Sequence, residues 1–210
     1  MIKAIIFDAD GVIYNSEPLI KKAVKKVFAE QGITLTNNDF IPFFGLTAKD
    51  ELLALLKKHK LHMPLEKALK KRGKYYGELL HNIRIFAGVK KLMKKIRIKK
   101  MKLAIATNSR KPKLYLTLKR LKLYPHKFDA IITAEQVKKH KPYPDVYLKA
   151  ARRIKVKPAD CLVFEDSLNG VKAAKAAGMY CVAITNSFSR KKLLRAGADL
   201  VLRSLTEVTL

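Results

Sequence analysis

The chain has 210 residues, 49% of them apolar, enough for a sizeable core built as one domain with an insertion or as two small domains. Its 45 Lys and Arg stand against 17 Asp and Glu, a net charge of +28 that attracts anions of every size. No stretch approaches the roughly 18 to 20 uncharged apolar residues that span a bilayer, and two cysteines make neither a disulfide framework nor a zinc site, so a soluble, cytoplasmic protein without redox chemistry is expected.

The chain opens on an apolar run, Ile2, Ala4, Ile5, Ile6 and Phe7, that reads as a buried strand and is broken at Asp8 before it can act as a signal sequence. Asp8 and Asp10 follow, one residue apart and before Gly11. Residues i and i+2 of a strand point the same way, so both carboxylates converge just beyond the strand end. Desolvating two acids there is costly unless a cation or a reaction offsets it. Acidic turn residues before a helix are the plainer reading.

Residues 16 to 82 read as almost entirely helical, with polar breaks at Gly32 to Asp39, Gly45 to Thr47 and His59 to Pro64. From Ile85 onward helical patterns alternate with short β-rich runs: Leu103 to Ala106, Ala130 to Thr133, Cys161 to Phe164, Cys181 to Ile184 and Leu200 to Leu202. Such alternation predicts a parallel sheet with helices on both faces and a ligand site outside the carboxyl ends of the strands. Cys161 and Cys181 read as reduced core residues.

Polar residues fall at those strand ends. Asp8 and Asp10 follow the first strand, and Thr107, Asn108 and Ser109 the second. Lys141 lies in the loop and helix start after the third, and Glu165, Asp166 and Ser167 follow the fourth. Helix capping by Thr107 and Ser167 explains each alone but not the coincidence of all four. Several carboxylates at one point, all hard oxygen donors, suit Mg²⁺ rather than zinc, and Mg²⁺ typically enters with phosphate substrates. Lys141 and Thr107 suit the neutralisation of a phosphoryl group. One Asp facing phosphorus allows an aspartyl phosphate, and Asp10 is placed to move the proton of a leaving alkoxide and then of water.

Asp8-Ala9-Asp10-Gly11-Val12, then Thr107 with Asn108 and Ser109, Lys141 with Pro142, and Glu165-Asp166-Ser167 with Gly170 resemble, in order, the four motifs of the haloacid dehalogenase superfamily across essentially the whole chain. The resemblance implies a Rossmann-like α/β core of residues 1–14 and 84–210, with a helical cap, 15–83, inserted after the first strand. It implies Asp8 as nucleophile, Asp10 as general acid and base, and Thr107 and Lys141 as holders of the phosphoryl group, with Asn108 and Ser109 binding substrate. Asp8, the backbone carbonyl of Asp10, Glu165 and Asp166 would surround Mg²⁺.

Dehalogenases and phosphonoacetaldehyde hydrolases of the superfamily lack an acid at the position of Asp10. Asn15-Ser16-Glu17-Pro18 resembles the sugar-phosphatase and β-phosphoglucomutase branch, with Asn15 in place of the usual Asp. Leu19, Ile20 and Lys21 supply no mutase histidine, so a phosphatase of a small phosphorylated metabolite leads a mutase, and a monomer is expected. His140 replaces the glycine that usually precedes the motif lysine.

Phe43, Phe44, Gly45, Leu46, Thr47, Ala48 and Lys49 resemble the specificity loop of the cap. Gly45 and Lys49 are candidate substrate contacts, with ordinary cap packing and a solvated helix start as the even alternative. His59, His62, His81 and His126 show no ligand or catalytic pattern. The lysine clusters (Lys21, Lys22, Lys25 and Lys26; Lys67, Lys70, Lys71 and Arg72; Lys90, Lys91, Lys94 and Lys95) read first as solvated faces of amphipathic helices. No nucleic-acid motif accompanies them, and a polyanion-binding protein with a secondary hydrolase site is the alternative in another class.

Overall fold

A computed structural model describes residues 1–43 and 46–209, so Phe44 and Gly45 of the expected specificity loop lie outside the described residues. Six strands form one parallel sheet: β1 (Ala4–Phe7), β2 (Lys102–Ala106), β3 (Ala130–Ile132), β4 (Cys161–Glu165), β5 (Tyr180–Ile184) and β6 (Leu200–Leu202), in the order β3-β2-β1-β4-β5-β6. Each β-rich run read from the sequence is a strand, displaced by at most one residue at an end.

Between β1 and β2 the chain inserts α1 (Glu17–Ala29), α2 (Ala48–Lys58) and α3 (Leu65–Leu79). Leu19, Ala23, Val24, Val27 and Phe28 give α1 its buried stripe, and Pro18 sits in its first turn, where a missing N–H costs nothing. Thr47 caps α2 by accepting from the Asp50 amide at 3.2 Å. The three helices enclose a core of their own around Val27, Phe28, Phe40, Leu52 and Leu55. A short 3-10 turn, Asn38–Phe43, begins at the end of the first expected break.

The chain enters and leaves this insert side by side. Gly11 N–H donates to Tyr14 at 2.9 Å, Phe86 N–H to Ile13 at 3.0 Å and Asn15 N–H to Arg84 at 3.1 Å, so residues 13–15 run against 84–86 as a two-stranded hinge.

Beyond it come α4 (Val89–Ile98), α5 (Lys111–Arg120), α6 (Asp145–Arg153), α7 (Leu168–Ala176) and α8 (Arg190–Arg195). Ile5, Phe7, Leu103 and Ile105 face α4 and α5, whereas Ala4, Ile6, Ala104 and Val163 face α6, α7 and α8. Both faces are covered, which is why the strands are apolar throughout rather than alternating. In the centre, the rings of Phe7 and Phe164 stack at 5.2 Å. Cys161 and Cys181 are buried, unpaired core residues, as expected. Among the described residues no helix is long and apolar enough to cross a membrane.

Candidate active site

The carboxyl ends of β1, β2 and β4 and the loop after β3 meet beneath the helical insert, at a cleft of about 1000 Å³. Asp8 leaves β1 with its amide bonded to the Phe164 carbonyl at 2.9 Å, which fixes the start of the acidic turn against the neighbouring strand. Lys141 Nζ donates to Asp8 Oδ1 at 2.5 Å and to Glu165 Oε1 at 2.7 Å. Lys141 is 7% exposed and Glu165 fully buried, so each charge leaves water only because the other is there.

Glu165 is spent on this arrangement. Tyr147 donates to Oε1 at 2.7 Å, while Oε2 accepts from the amides of Asp166 at 2.9 Å and Ser167 at 3.0 Å and from the Ser167 hydroxyl at 3.1 Å. Burial opposes its charge, but Lys141 and these donors outweigh it and hold the carboxyl below its ordinary range. A Cβ on Gly170 would lie 1.7 Å from Glu165 Oε1, so only glycine leaves room for this carboxylate under the first turn of α7.

Asp166 takes a different position. Ser187, after β5, donates to Asp166 Oδ2, and Gly11 lies so close that a Cβ there would fall 2.0 Å from the same oxygen. Gly11 also has φ +82, the left-handed region that glycine enters freely. Burial, Glu165 and Asp8 together push the Asp166 carboxyl well above its ordinary value. Burial likewise raises Asp8, to about 7, against the pull of Lys141.

Asp10 faces away from this group. Its Oδ1 accepts from Lys113 Nζ at 2.5 Å and from the Ser16 hydroxyl, and its Oδ2 from the Ser109 hydroxyl at 2.5 Å. Burial pushes Asp10 up, but Lys113 and the two hydroxyls outweigh it and hold the carboxyl below its ordinary range. Thr107 is buried and accepts from the Ser109 amide at 3.0 Å, while Asn108 Oδ1 accepts from the Lys141 amide at 3.2 Å. Among the described residues the buried Asn108 amide nitrogen and His140 Nδ1 have no partner.

The insert supplies the opposite wall. Thr47 and Lys49 line the cleft at the start of α2, and Arg72 and Tyr76 line it from α3. Arg72 is buried 3.6 Å from Glu51, its Nε without a partner among the described residues, and the Tyr76 hydroxyl meets Thr117 of α5 at 2.9 Å.

The structure thus brings Asp8, Asp10, Thr107, Asn108, Ser109, Lys141 and Asp166 to one cleft, with Lys49 across it and Glu165 beneath; Gly45 is not described. Sequence reading missed Lys113, Tyr147, Ser187 and Arg72. Ser187 had a signal, because it follows a fifth strand end. Lys113 had a weaker one, four residues after Ser109 and so on the same side of the opening turn of α5. Tyr147 and Arg72 act through tertiary contacts and had none.

Among the described residues no three His, Cys, Asp or Glu side chains close into a ready-made metal-ligand group. Asp8 and Asp166 instead offer two hard carboxylates beside open cleft, a donor set that fits a Mg²⁺ ion completing its shell with water and substrate phosphate.

Residues 5–184 match the haloacid dehalogenase-like hydrolase family. The chain is 33% identical over 203 residues to the phosphorylated carbohydrates phosphatase of Thermotoga maritima, covering 94% of this chain and 92% of that one. It is 36% identical over 208 residues, 95% of its length, to the chloroplastic protein SUPPRESSOR OF QUENCHING 1 of Arabidopsis thaliana, of which it spans only 19%. The crystal structure of CbbY from Rhodobacter sphaeroides in complex with phosphate superposes with a TM-score of 0.88 at 28% identity, covering 99% of this chain and 96% of that chain. With its acids, hydroxyls and lysine at successive strand ends and a match over most of its length, the chain belongs to the haloacid dehalogenase-like hydrolase family.

Proposed function

We propose that the chain is a Mg²⁺-dependent phosphatase of small phosphorylated sugars, with a catalytic core of residues 1–14 and 84–210 and a substrate-selecting cap of 15–83. The observation that carries this reading is the separation of two neighbouring carboxylates into different surroundings, Asp8 against Lys141 and Asp10 against Ser16, Ser109 and Lys113. Paired acids with opposed environments divide the chemical labour. The sugar follows from the likeness to the phosphorylated carbohydrates phosphatase of Thermotoga maritima.

Asp8, with Oδ1 held by Lys141, presents its carboxylate to phosphorus and forms the aspartyl phosphate. Lys141, Thr107 and Asn108 meet the phosphoryl oxygens, the unpartnered Asn108 amide being a free donor for that purpose. Asp8 and Asp166, with the backbone carbonyl of Asp10, would hold the metal, which when bound would offset phosphoryl charge and keep Asp8 ionised. Glu165 acts through Lys141 as a positioning residue.

Asp10 protonates the leaving alkoxide and then takes a proton from the attacking water. Lys113 favours the ionised form that the second step needs, so the Lys113–Asp10 pair must open for the first. Lys49 and Arg72 face the remainder of the sugar.

The test is a screen of sugar phosphates for phosphate release with Mg²⁺ present or chelated, on wild type and Asp8→Asn. Hydrolysis that depends on the metal and is lost in Asp8→Asn is expected. An Asp8→Asn protein as active as wild type would rule out the covalent route.

A further inference from the structure

From Leu79 to Phe128 the chain runs fifty residues without an Asp or Glu while carrying sixteen Lys and Arg. Only three of these find an acid among the described residues: Lys113 with Asp10, Lys102 with Asp129 and Arg110 with Glu135. Of the sixteen, only Lys113 and Arg110 line the catalytic cleft, and both carry an acid. The others lie outside it.

The fold gathers them on one side. Helices α4 and α5 bury Val89, Leu92 and Ile96, and Leu114 and Leu118, in the same apolar layer on one face of the sheet. Their outward rows, Lys90, Lys94 and Arg97 on α4 and Lys119 and Arg120 on α5, are exposed, and neither helix carries an acid. Both helices end at the sheet edge opposite the cleft, where Lys99, Lys100 and Lys122 extend the charge.

Aromatic rings adjoin the lysines. Tyr115 and Tyr124 are 36% and 44% exposed, with Lys111 Nζ 5.4 Å from the first ring and Lys127 Nζ 5.8 Å from the second. The His126 ring stacks on Tyr124 at 5.8 Å and 8°. Beside edge strand β3 runs a groove of about 610 Å³, lined by Lys111, Tyr115, Pro125, Phe128 and Arg153. Its two acids, Asp129 and Glu135, are those already paired with Lys102 and Arg110.

We propose that the outer face of α4 and α5, continued into the β3 groove, binds single-stranded nucleic acid, with lysines on the phosphates and bases stacked on Tyr115 and Tyr124. Dispersed like charge without acids matches a polyphosphate backbone, and exposed planar rings between the cations match unpaired bases. Neither helix stands clear of the sheet to enter a major groove, which disfavours duplex DNA. An anionic membrane would want an apolar wedge, and the exposed aliphatic side chains here, Ile98 and Leu116, belong to different helices.

The test is fluorescence anisotropy with a labelled poly-uridine RNA of about 20 nucleotides, long enough to cover such a groove. Binding at about 0.15 M salt is expected, falling as salt rises with a log–log slope of about −0.7 per phosphate contacted. The quadruple variant Lys94→Gln, Arg97→Gln, Lys119→Gln, Lys122→Gln should flatten that slope and weaken binding on the order of 100-fold. Tyr115→Ala with Tyr124→Ala should weaken it about tenfold or more at an unchanged slope. Hydrolysis of p-nitrophenyl phosphate should be unaltered in both variants, which also reports their folding. No RNA retention at this salt, unchanged binding by the quadruple variant, or preference for phosphatidylglycerol vesicles over RNA overturns the proposal.

Discussion

Lys113 Nζ lies 2.5 Å from Asp10 Oδ1 although 103 residues separate the two in the chain, and it shares Ser109 with the same carboxylate at 2.9 Å. This pair sets the charge of the acid proposed to move protons. Lys113→Met keeps the apolar stem and removes the cation, so the Asp10 carboxyl rises and the acidic limb of the rate profile moves to higher pH. Turnover should fall roughly tenfold and Asp10→Asn should cost on the order of a hundredfold or more, in the range of general acid–base catalysis. Stopped-flow assays should show a burst of leaving alcohol in Lys113→Met, because the water-activating step slows most. An unchanged steady rate without a burst would remove Lys113 from the mechanism.

Burial pushes the Asp8 carboxyl up to about 7 against the pull of Lys141. An unfolded Asp titrates near 3.9, so the folded state binds this proton more tightly. The resulting stability is full below about pH 4 and is lost as pH rises through about 7. A cation at Asp8 and Asp166 takes over the proton's place. The rise in Tm on adding Mg²⁺ should grow from about pH 6 to about pH 8. Titration calorimetry in buffers of different ionisation heat should register proton release on Mg²⁺ binding near pH 6, with the share that comes from Asp8 shrinking toward pH 8 while the share from Asp166 persists. Release that is absent at both would mean Asp8 does not hold the metal.

Two glycines make opposite predictions from the same substitution. A methyl on Gly170 would sit 1.7 Å from a Glu165 oxygen, so Gly170→Ala must displace the carboxylate that anchors Lys141, and both Tm and activity should fall. Gly73, in the middle of α3, has nothing within 4 Å of its Cβ position, and Gly73→Ala should stabilise by about 0.5–1 kcal/mol through helix propensity. Thermal melts of the two variants decide it.

These two glycines also mark what the sequence discloses. Strands were legible because a sheet covered on both faces needs unbroken apolar runs, and the strand-end rule then placed Asp8, Thr107, Lys141 and Asp166 around one point. Gly170 was legible only as part of a motif, its reason being a carboxylate five residues earlier that folds back beneath it. Lys113 and Tyr147 were hidden because the helical patterns of α5 and α6 already accounted for them. Arg72 was hidden among lysines on a face read as solvated, yet it is buried against Glu51.

Phosphatase and mutase differ in the fate of the aspartyl phosphate, which a mutase must shield from water while a bisphosphate turns around. With β-glucose 1-phosphate and a trace of the bisphosphate, inorganic phosphate should appear faster than glucose 6-phosphate. The reverse order would make the chain a mutase.

The paired segments 13–15 and 84–86 hold the two ends of the helical insert together. An insert closed at its base adds entropy cost only logarithmically with length and transmits nothing to the register of the sheet. Evolution can therefore lengthen, shorten or exchange this segment as a cassette, exploring new substrates while Asp8, Thr107 and Lys141 keep their places.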